Sequence, residues 1–182
     1  MTTETAIFAG GCFWCTEAIF LDVIGVHSVE SGYIGGHLAD PTYKRICDGN
    51  TGHAEAVKIT FDPAVITYVE LLDIFFHTHD PTQLNKQGND VGTQYRSAVF
   101  PLDDAQRTAA EAAKARAQDD WDKPIITTIE TAAQWYPAEA YHQNYYTNNA
   151  NSNGYCAVVV APKLAKFRKA FAQRLKSNQH AT

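Results

Sequence analysis

Residues 5–21 read TAIFAGGCFWCTEAIFL, and the fold turns on how this stretch divides. Thr5–Ala9 has the length and apolar character of a strand, Gly10 and Gly11 break the run, and Phe13–Leu21 reads as a helix. A strand handing over to a helix across a glycine turn opens a layered domain of helices packed on a sheet. The same division puts Cys12 at the N-terminal edge of the helix, where the free backbone N–H groups favour a thiolate. A plain core corner, in which cysteines and aromatics merely pack, fits the same letters.

Outward from this unit, strand and helix signals alternate without a repeat, a low-complexity segment or a linker. Val26–Tyr33 alternates as a second strand, and Gly35-Gly36 opens a loop. Asp40 before Pro41 gives an N-cap residue ahead of a proline at the first helical position, predicting a short helix that ends near Gly49. Ala54–Phe61 is the clearest strand, stopped by Asp62-Pro63. Thr67 and Glu70 form a capping box for an apolar helix reaching about His77. Residues 80–94, DPTQLNKQGNDVGTQ, make a polar loop of a length that is usually functional or disordered. A strand at Tyr95–Phe100 follows, then an alanine-rich helix at Asp103–Gln118 and a strand at Ile125–Ile129. A short helix at Ala138–Tyr146, a last strand at Tyr155–Val160 and an amphipathic helix at Lys163–Leu175 complete the chain. The expected architecture is a single domain over residues 1–182, an α+β sandwich whose mixed sheet is covered by helices on one main face.

Composition narrows the function. At 182 residues and 45% hydrophobic content the chain can bury a core without disulfide staples. A formal net charge of −5 argues against a general nucleic-acid binder, and the basic cluster Lys163–Lys176 lies on the amphipathic helix as a solvated face. No run is long and apolar enough to cross a membrane, and MTTETAIFAGG lacks the pattern of a signal peptide, so the expected location is cytoplasmic. In a reducing cytosol, four cysteines point to catalysis, metal binding or inert packing rather than to a disulfide framework.

On the strand Ala54–Phe61, period-two alternation puts Glu55 on one face with Val57, Ile59 and Phe61. A carboxyl group on that apolar face would be desolvated, its pKa raised, and able to donate a proton near neutral pH. The competing reading turns Glu55 to solvent at a frayed strand end. For the thiols, Cys12-x-x-Cys15 after a strand fits a thioredoxin-like disulfide exchanger, though such domains are shorter and carry small or polar residues between the cysteines. Zinc would need two more ligands, and Cys47, Cys156, His77 and His79 do not supply them at a metal-site spacing. A third reading is a thiol peroxidase or reductase in which Cys12 becomes a sulfenic acid, with Phe13 and Trp14 binding a thioether-like group by sulfur–aromatic contact.

Four separated stretches, GGCFWCTE, GHAEAVKITFDP, DPTQLNKQGNDVGTQYRSAVF and YHQNYYTNNANSNGYC, resemble in order the signature segments of the peptide methionine sulfoxide reductase A family. The resemblance runs from Ala6 to about Lys169. It implies a two-layer α+β sandwich of the ferredoxin-like plait type. It also implies reduction of methionine S-sulfoxide, free or in oxidised proteins, with thioredoxin as reductant and no metal or organic cofactor. By position, Cys12 matches the nucleophile, Phe13 and Trp14 the pocket for the substrate methyl group, and Glu55 the proton-donating acid. Tyr43 and Tyr95 match the phenols that bind the sulfoxide oxygen, and Asp90, His142 and Tyr145 the supporting polar residues. Without the motifs, Tyr43, Tyr95 and His142 read as ordinary packing or surface residues, and Cys47 reads as structural.

The commonest family pattern has glycine where this chain has Cys15, so the thiol that resolves the sulfenic acid is either Cys15 or Cys156. Cys156 stands at the usual recycling position, but here it leads into an apolar strand and a helix, and it either relays the disulfide outward or serves as a packed strand cysteine. Cys15 is three residues from Cys12 and shares a helix face with it, which favours Cys15 as first partner. A thioredoxin-like exchanger working through Cys12 and Cys15 alone is the main alternative, and a non-enzymatic reader of oxidised methionine a more distant one.

Overall fold

The computed structural model describes residues 2–176. Its first unit is the one read above: strand β1 (Glu4–Gly10), the glycine turn, and helix α1 (Phe13–Leu21). Strand β2 (Val26–Ile34), helix α2 (Tyr43–Cys47), strand β3 (Ala54–Phe61) and helix α3 (Tyr68–Thr78) follow. Thr67 and Glu70 cap α3 reciprocally, each side chain bonding the other's backbone N–H. Next come a two-residue-a-side hairpin, β4 (Lys86–Gln87) with β5 (Asp90–Val91), a 3₁₀ turn at Thr93–Tyr95, and strand β6 (Ser97–Val99). Helix α4 (Asp104–Ala117) is capped by the Asp103 side chain. The remainder holds short strands β7 (Thr128–Ile129) and β8 (Tyr136–Pro137), helix α5 (Tyr145–Asn149), and a π-helical stretch, Cys156–Val160, running into α6 (Ala161–Ala170).

The main sheet has six strands in the order β7-β6-β1-β3-β2-β8. Every neighbouring pair is antiparallel except β6 and β7, so the sheet is mixed. β3 lies at its centre and is buried almost throughout, which is why it was the easiest strand to see. One face of the sheet (Ala6 and Phe8 from β1, Val57, Ile59 and Phe61 from β3) packs against apolar residues of α1, α3, α4 and α6 in the main core. The other face carries a smaller cluster, Ile7, Ala9, Ile34, Ala54, Ala56, Ala98 and Phe100, with Trp135 laid over it. Gly32 is required at that contact, since a Cβ there would stand 2.4 Å from the Trp135 ring. The helices therefore crowd one main face, as the pattern of elements suggested.

Several elements differ from the reading of the sequence. The stretch Tyr155–Val160 is helical, not a strand. Its apolar, β-branched letters fit either form, but only Cys156 and Val160, four apart, are buried with the core, while Val158 is 75% exposed. Asn153 accepts hydrogen bonds from the backbone N–H groups of Tyr155 and Cys156 and so starts the helix. Pro162, which lacks an N–H to donate to the preceding turn, is the second residue of α6, just past the π-helical stretch. The helix expected from Asp40-Pro41 begins instead at Tyr43, capped by the Thr42 side chain, which accepts from the Arg45 N–H, while Asp40 lies outside it with a left-handed φ of 48°. The polar loop 80–94 is a latched structure: Asp80 accepts bonds from Thr82 and Gln83, and Gln87 bonds both backbone groups of Asp80. Tyr95 belongs to its closing 3₁₀ turn rather than to a strand, and the helix expected over Ala138–Tyr146 is divided into a 3₁₀ turn, Ala140–His142, and α5.

Candidate active site

The glycine turn fixes where Cys12 stands. Gly11 has φ +94°, a conformation that a side chain resists, and a Cβ there would lie 2.8 Å from the Gln87 side chain. The turn delivers Cys12 as the N-cap residue of α1, its carbonyl accepting from the N–H groups of Cys15 and Thr16 at 3.1 and 3.4 Å. The next free helix N–H, that of Phe13, donates to Glu55 Oε1 at 3.2 Å. Glu55 reaches it from the second residue of β3, on the apolar face, with only 2% of its surface exposed.

Burial raises the Glu55 pKa to about 8; the Phe13 N–H opposes this, and the charges of Asp90 and Cys15 add to it. At pH 7 a carboxyl with that pKa carries its proton about nine times in ten. The solvent-facing alternative for Glu55 is therefore not what the fold adopts. The expectation of a readily ionised Cys12 is also corrected. Burial, then a hydrogen bond to Cys15 and the Glu55 charge, push the Cys12 thiol well above its ordinary pKa and outweigh the helix terminus. Cys15 moves the other way, lowered by the Cys12 hydrogen bond and by the charge of Lys163 against the cost of burial.

Aromatic rings wall the space beside Cys12. Phe13 is 1% exposed and lies 5.7 Å from the Tyr33 ring and 5.1 Å from the His142 ring. Trp14 stacks on Tyr145 at 3.8 Å, meets Tyr155 edge-on at 5.6 Å, and donates from Nε1 to His142 Nδ1 at 3.1 Å. With Nδ1 accepting, the neutral His142 ring carries its proton on Nε2, a buried donor without a partner among the described residues. The Tyr43 ring lies 4.4 Å from His142, and the Tyr43 backbone N–H is held by Glu139 at 3.0 Å. Tyr95 feels the charges of both Glu55 and Cys12, and Tyr43 that of Glu55; burial first, then those charges, keep both phenols protonated. Asp90 accepts from the Tyr155 hydroxyl at 2.5 Å.

Cys12, Phe13, Trp14, Cys15, Tyr43, Glu55, Asp90, Tyr95, His142 and Tyr145 thus converge from seven elements of the chain on one locality. Cys156 is fully buried; its surroundings include Cys15 but no direct link to Cys12. A family model described as peptide methionine sulfoxide reductase matches residues 4–175. The chain belongs to that family. The peptide methionine sulfoxide reductase MsrA of Erwinia tasmaniensis is 59% identical over 172 residues, spanning 94% of this chain and 97% of that relative. Among solved structures, Mxr1 from Saccharomyces cerevisiae in reduced form aligns with a TM-score of 0.77 at 36% identity, covering 84% of this chain and 88% of the other. The same yeast protein in complex with Trx2 aligns at 0.55 and 27% identity, over 79% and 84%.

Some residues of the site escaped the sequence reading. Tyr155, next to Cys156 in the last signature stretch, is hydrogen-bonded to Asp90 and borders both Cys12 and Cys15. Glu139 gathers the Tyr33 hydroxyl, the Tyr43 N–H and the Tyr141 hydroxyl at 3.0, 3.0 and 3.1 Å. Glu17, 1% exposed, holds the Ser31 hydroxyl and the Tyr145 N–H, which orients the ring that stacks on Trp14. A carboxylate at the fifth position of an apolar helix was the visible signal for Glu17. Cys47, read as structural, is an exposed thiol beside the Tyr43 hydroxyl.

Proposed function

We propose that this chain is a thiol-dependent peptide-methionine S-sulfoxide reductase whose nucleophile is Cys12 and whose acid is Glu55. One observation carries the assignment of roles: a neutral, buried carboxyl group is hydrogen-bonded to the residue after Cys12 and faced by two protonated phenols. That arrangement suits a sulfoxide. Tyr43 and Tyr95 donate hydrogen bonds to the oxygen, Phe13 and Trp14 receive the methyl group, and Asp90, His142 and Tyr145 hold the walls. Cys12 attacks the sulfoxide sulfur while Glu55 gives a proton to the oxygen. In net terms one oxygen atom passes from substrate sulfur to Cys12, the substrate becomes a thioether, and the Cys12 thiol becomes a sulfenic acid. Because the Cys12 pKa is raised in the unliganded pocket, its proton stays in the site until substrate arrives.

Cys15 is proposed as the resolving thiol. Its thiol adjoins that of Cys12, which lowers its pKa, whereas Cys156 is packed at 0% exposure in the helix that precedes α6. Thioredoxin is the proposed reductant of the resulting disulfide, supported by the yeast relative solved in complex with Trx2. Oxidised proteins and free methionine sulfoxide are the proposed substrates, and the cytoplasm the proposed location; among the described residues no helix is long and apolar enough to cross a membrane. The single catalytic domain assigned to residues 1–182 extends slightly past the described residues at both ends. Its core is read as a ferredoxin-like plait, supported by the antiparallel order β6-β1-β3-β2 with α1 and α3 as the two crossovers.

The test uses reduced protein, a methyl sulfoxide compound and no other reductant. A reductase yields one equivalent of thioether; a disulfide exchanger or a reader of oxidised methionine yields none and would refute the assignment.

A further inference from the structure

On a side of α1 that contributes none of the aromatic walls, Cys15 opens onto a narrow crevice lined with Gly10, Thr16, Phe75, His79 and Lys163. Lys163 enters it from the first turn of α6, which packs against α1. The side chain is half-buried, yet among the described residues it has no carboxylate within 4 Å and no hydrogen bond. By contrast, Lys58 pairs with Glu30 at 3.5 Å and Lys114 donates to the Thr127 carbonyl at 2.8 Å. An ammonium group without a counter-ion, sharing a crevice with a thiol, is placed to neutralise the charge of that thiol's ionised form.

We propose that Lys163 is a positioning residue for the recycling half of the reaction, holding the Cys15 sulfur as the thiolate that attacks oxidised Cys12. The step balances: the Cys15 thiolate attacks the Cys12 sulfenic sulfur, the S–S bond forms as the S–O bond breaks, and the departing hydroxide takes a proton and leaves as water. This inference rests on the reading of Cys15 as the resolving thiol.

The surroundings of Cys15 leave Lys163 as the cation responsible. His79, at the end of α3, is neutral: burial lowers its pKa to about 4, and its ring nitrogens lie 2.6 Å from the Phe75 carbonyl and 2.8 Å from the Ser97 hydroxyl. Asp90 from β5 opposes a Cys15 thiolate, Glu55 from β3 is largely neutral at pH 7, and Cys156 is a neighbouring thiol with a raised pKa. The Cys12 thiol and the Tyr155 hydroxyl also adjoin Cys15 but carry no positive charge. The net direction at Cys15 is nonetheless downward, with Lys163 the attractive charge acting on it.

The experiment compares wild type, Lys163→Met and Lys163→Arg. Each reduced protein is mixed with one equivalent of methionine S-sulfoxide, and thioether formation and loss of the Cys15 thiol are timed separately across pH by alkylation and peptide mapping. In Lys163→Met, loss of the Cys15 thiol relative to thioether formation is expected to slow at pH 7, by up to about tenfold for each unit by which the Cys15 pKa rises, and to recover as pH rises. Lys163→Arg restores the wild-type profile. A second measurement omits the sulfoxide: in Cys12→Ser protein, the pH midpoint for alkylation of Cys15 moves upward when Lys163→Met is added. Unchanged midpoints and profiles overturn the role of Lys163 while leaving a mapped Cys12–Cys15 disulfide intact. A dominant Cys12–Cys156 disulfide in wild type overturns the underlying reading of Cys15 instead.

Discussion

Replacing Glu55 by glutamine should move stability and activity in opposite directions. The side chain is 2% exposed and its pKa is lifted from 4.5 to about 8, with burial as the leading cause. The folded protein therefore holds a proton that the unfolded chain has released, across the window from about pH 4.5 to about 8. Within that window the folded state binds more protons, so stability falls as pH rises, and above pH 8 the loss is complete. At pH 7 about 2.5 units of this interval have been crossed, which at about 1.36 kcal/mol per unit amounts to roughly 3 kcal/mol. Glutamine carries no charge to desolvate and keeps the carbonyl that accepts the Phe13 N–H, so Glu55→Gln should stabilise the fold by up to about 3 kcal/mol at pH 7 and by very little at pH 4. The same change removes the proton that must reach the sulfoxide oxygen, and the reduction step should slow by about 10²–10⁴-fold. Wild type should also lose rate above pH 8, a limb absent from the variant. Urea denaturation at pH 4 and 7, paired with single-turnover thioether formation, measures both effects. A variant less stable at pH 7 than wild type, or one that keeps its rate, would refute the burial argument or the acid role respectively.

Three further outcomes follow from the same geometry. The Tyr43→Phe, Tyr95→Phe double variant should reduce sulfoxide more slowly than either single variant, because both phenols address one oxygen; single-turnover rates that match wild type in all three would place the oxygen elsewhere. Gly11→Ala should destabilise the protein by about 1–3 kcal/mol in denaturant titration and lower the reduction rate, since φ +94° is strained for alanine and the new methyl group meets Gln87. Cys15→Ser should form one equivalent of thioether yet accumulate Cys12 sulfenic acid, trapped by dimedone, and turn over poorly with thioredoxin; normal recycling would make Cys15 a bystander.

Most of the scaffold was legible because its signals were local. The strand, glycine turn and helix of residues 4–21, the capping box at Thr67 and Glu70, and the Ala54–Phe61 strand each follow from spacing and residue type alone. Glu55 was legible in part, since alternation placed it on the apolar face but gave no partner. What escaped were effects of tertiary packing. The CAVVV stretch carries β-branched letters that suit a strand, and the Asn153 cap together with the packing of Cys156 and Val160 in the core makes it helical. The ionisation of Cys12 was misjudged because the helix terminus can be read from sequence, whereas the burial that outweighs it cannot. Tyr155, Glu139 and Lys163 act through neighbours more than 15 residues away along the chain, and no periodicity connects them to the site.

The central claim is that Cys12 itself takes the oxygen. Reduced wild type and Cys12→Ser, each mixed with excess methionine S-sulfoxide in the absence of any other reductant, test it most directly by the methionine formed in a single turnover. Wild type should release one methionine per protein and lose two thiols, while Cys12→Ser should release none, because a serine hydroxyl attacks sulfur far more poorly than a thiol and cannot become a sulfenic acid. Methionine released by Cys12→Ser at the wild-type rate would contradict the account.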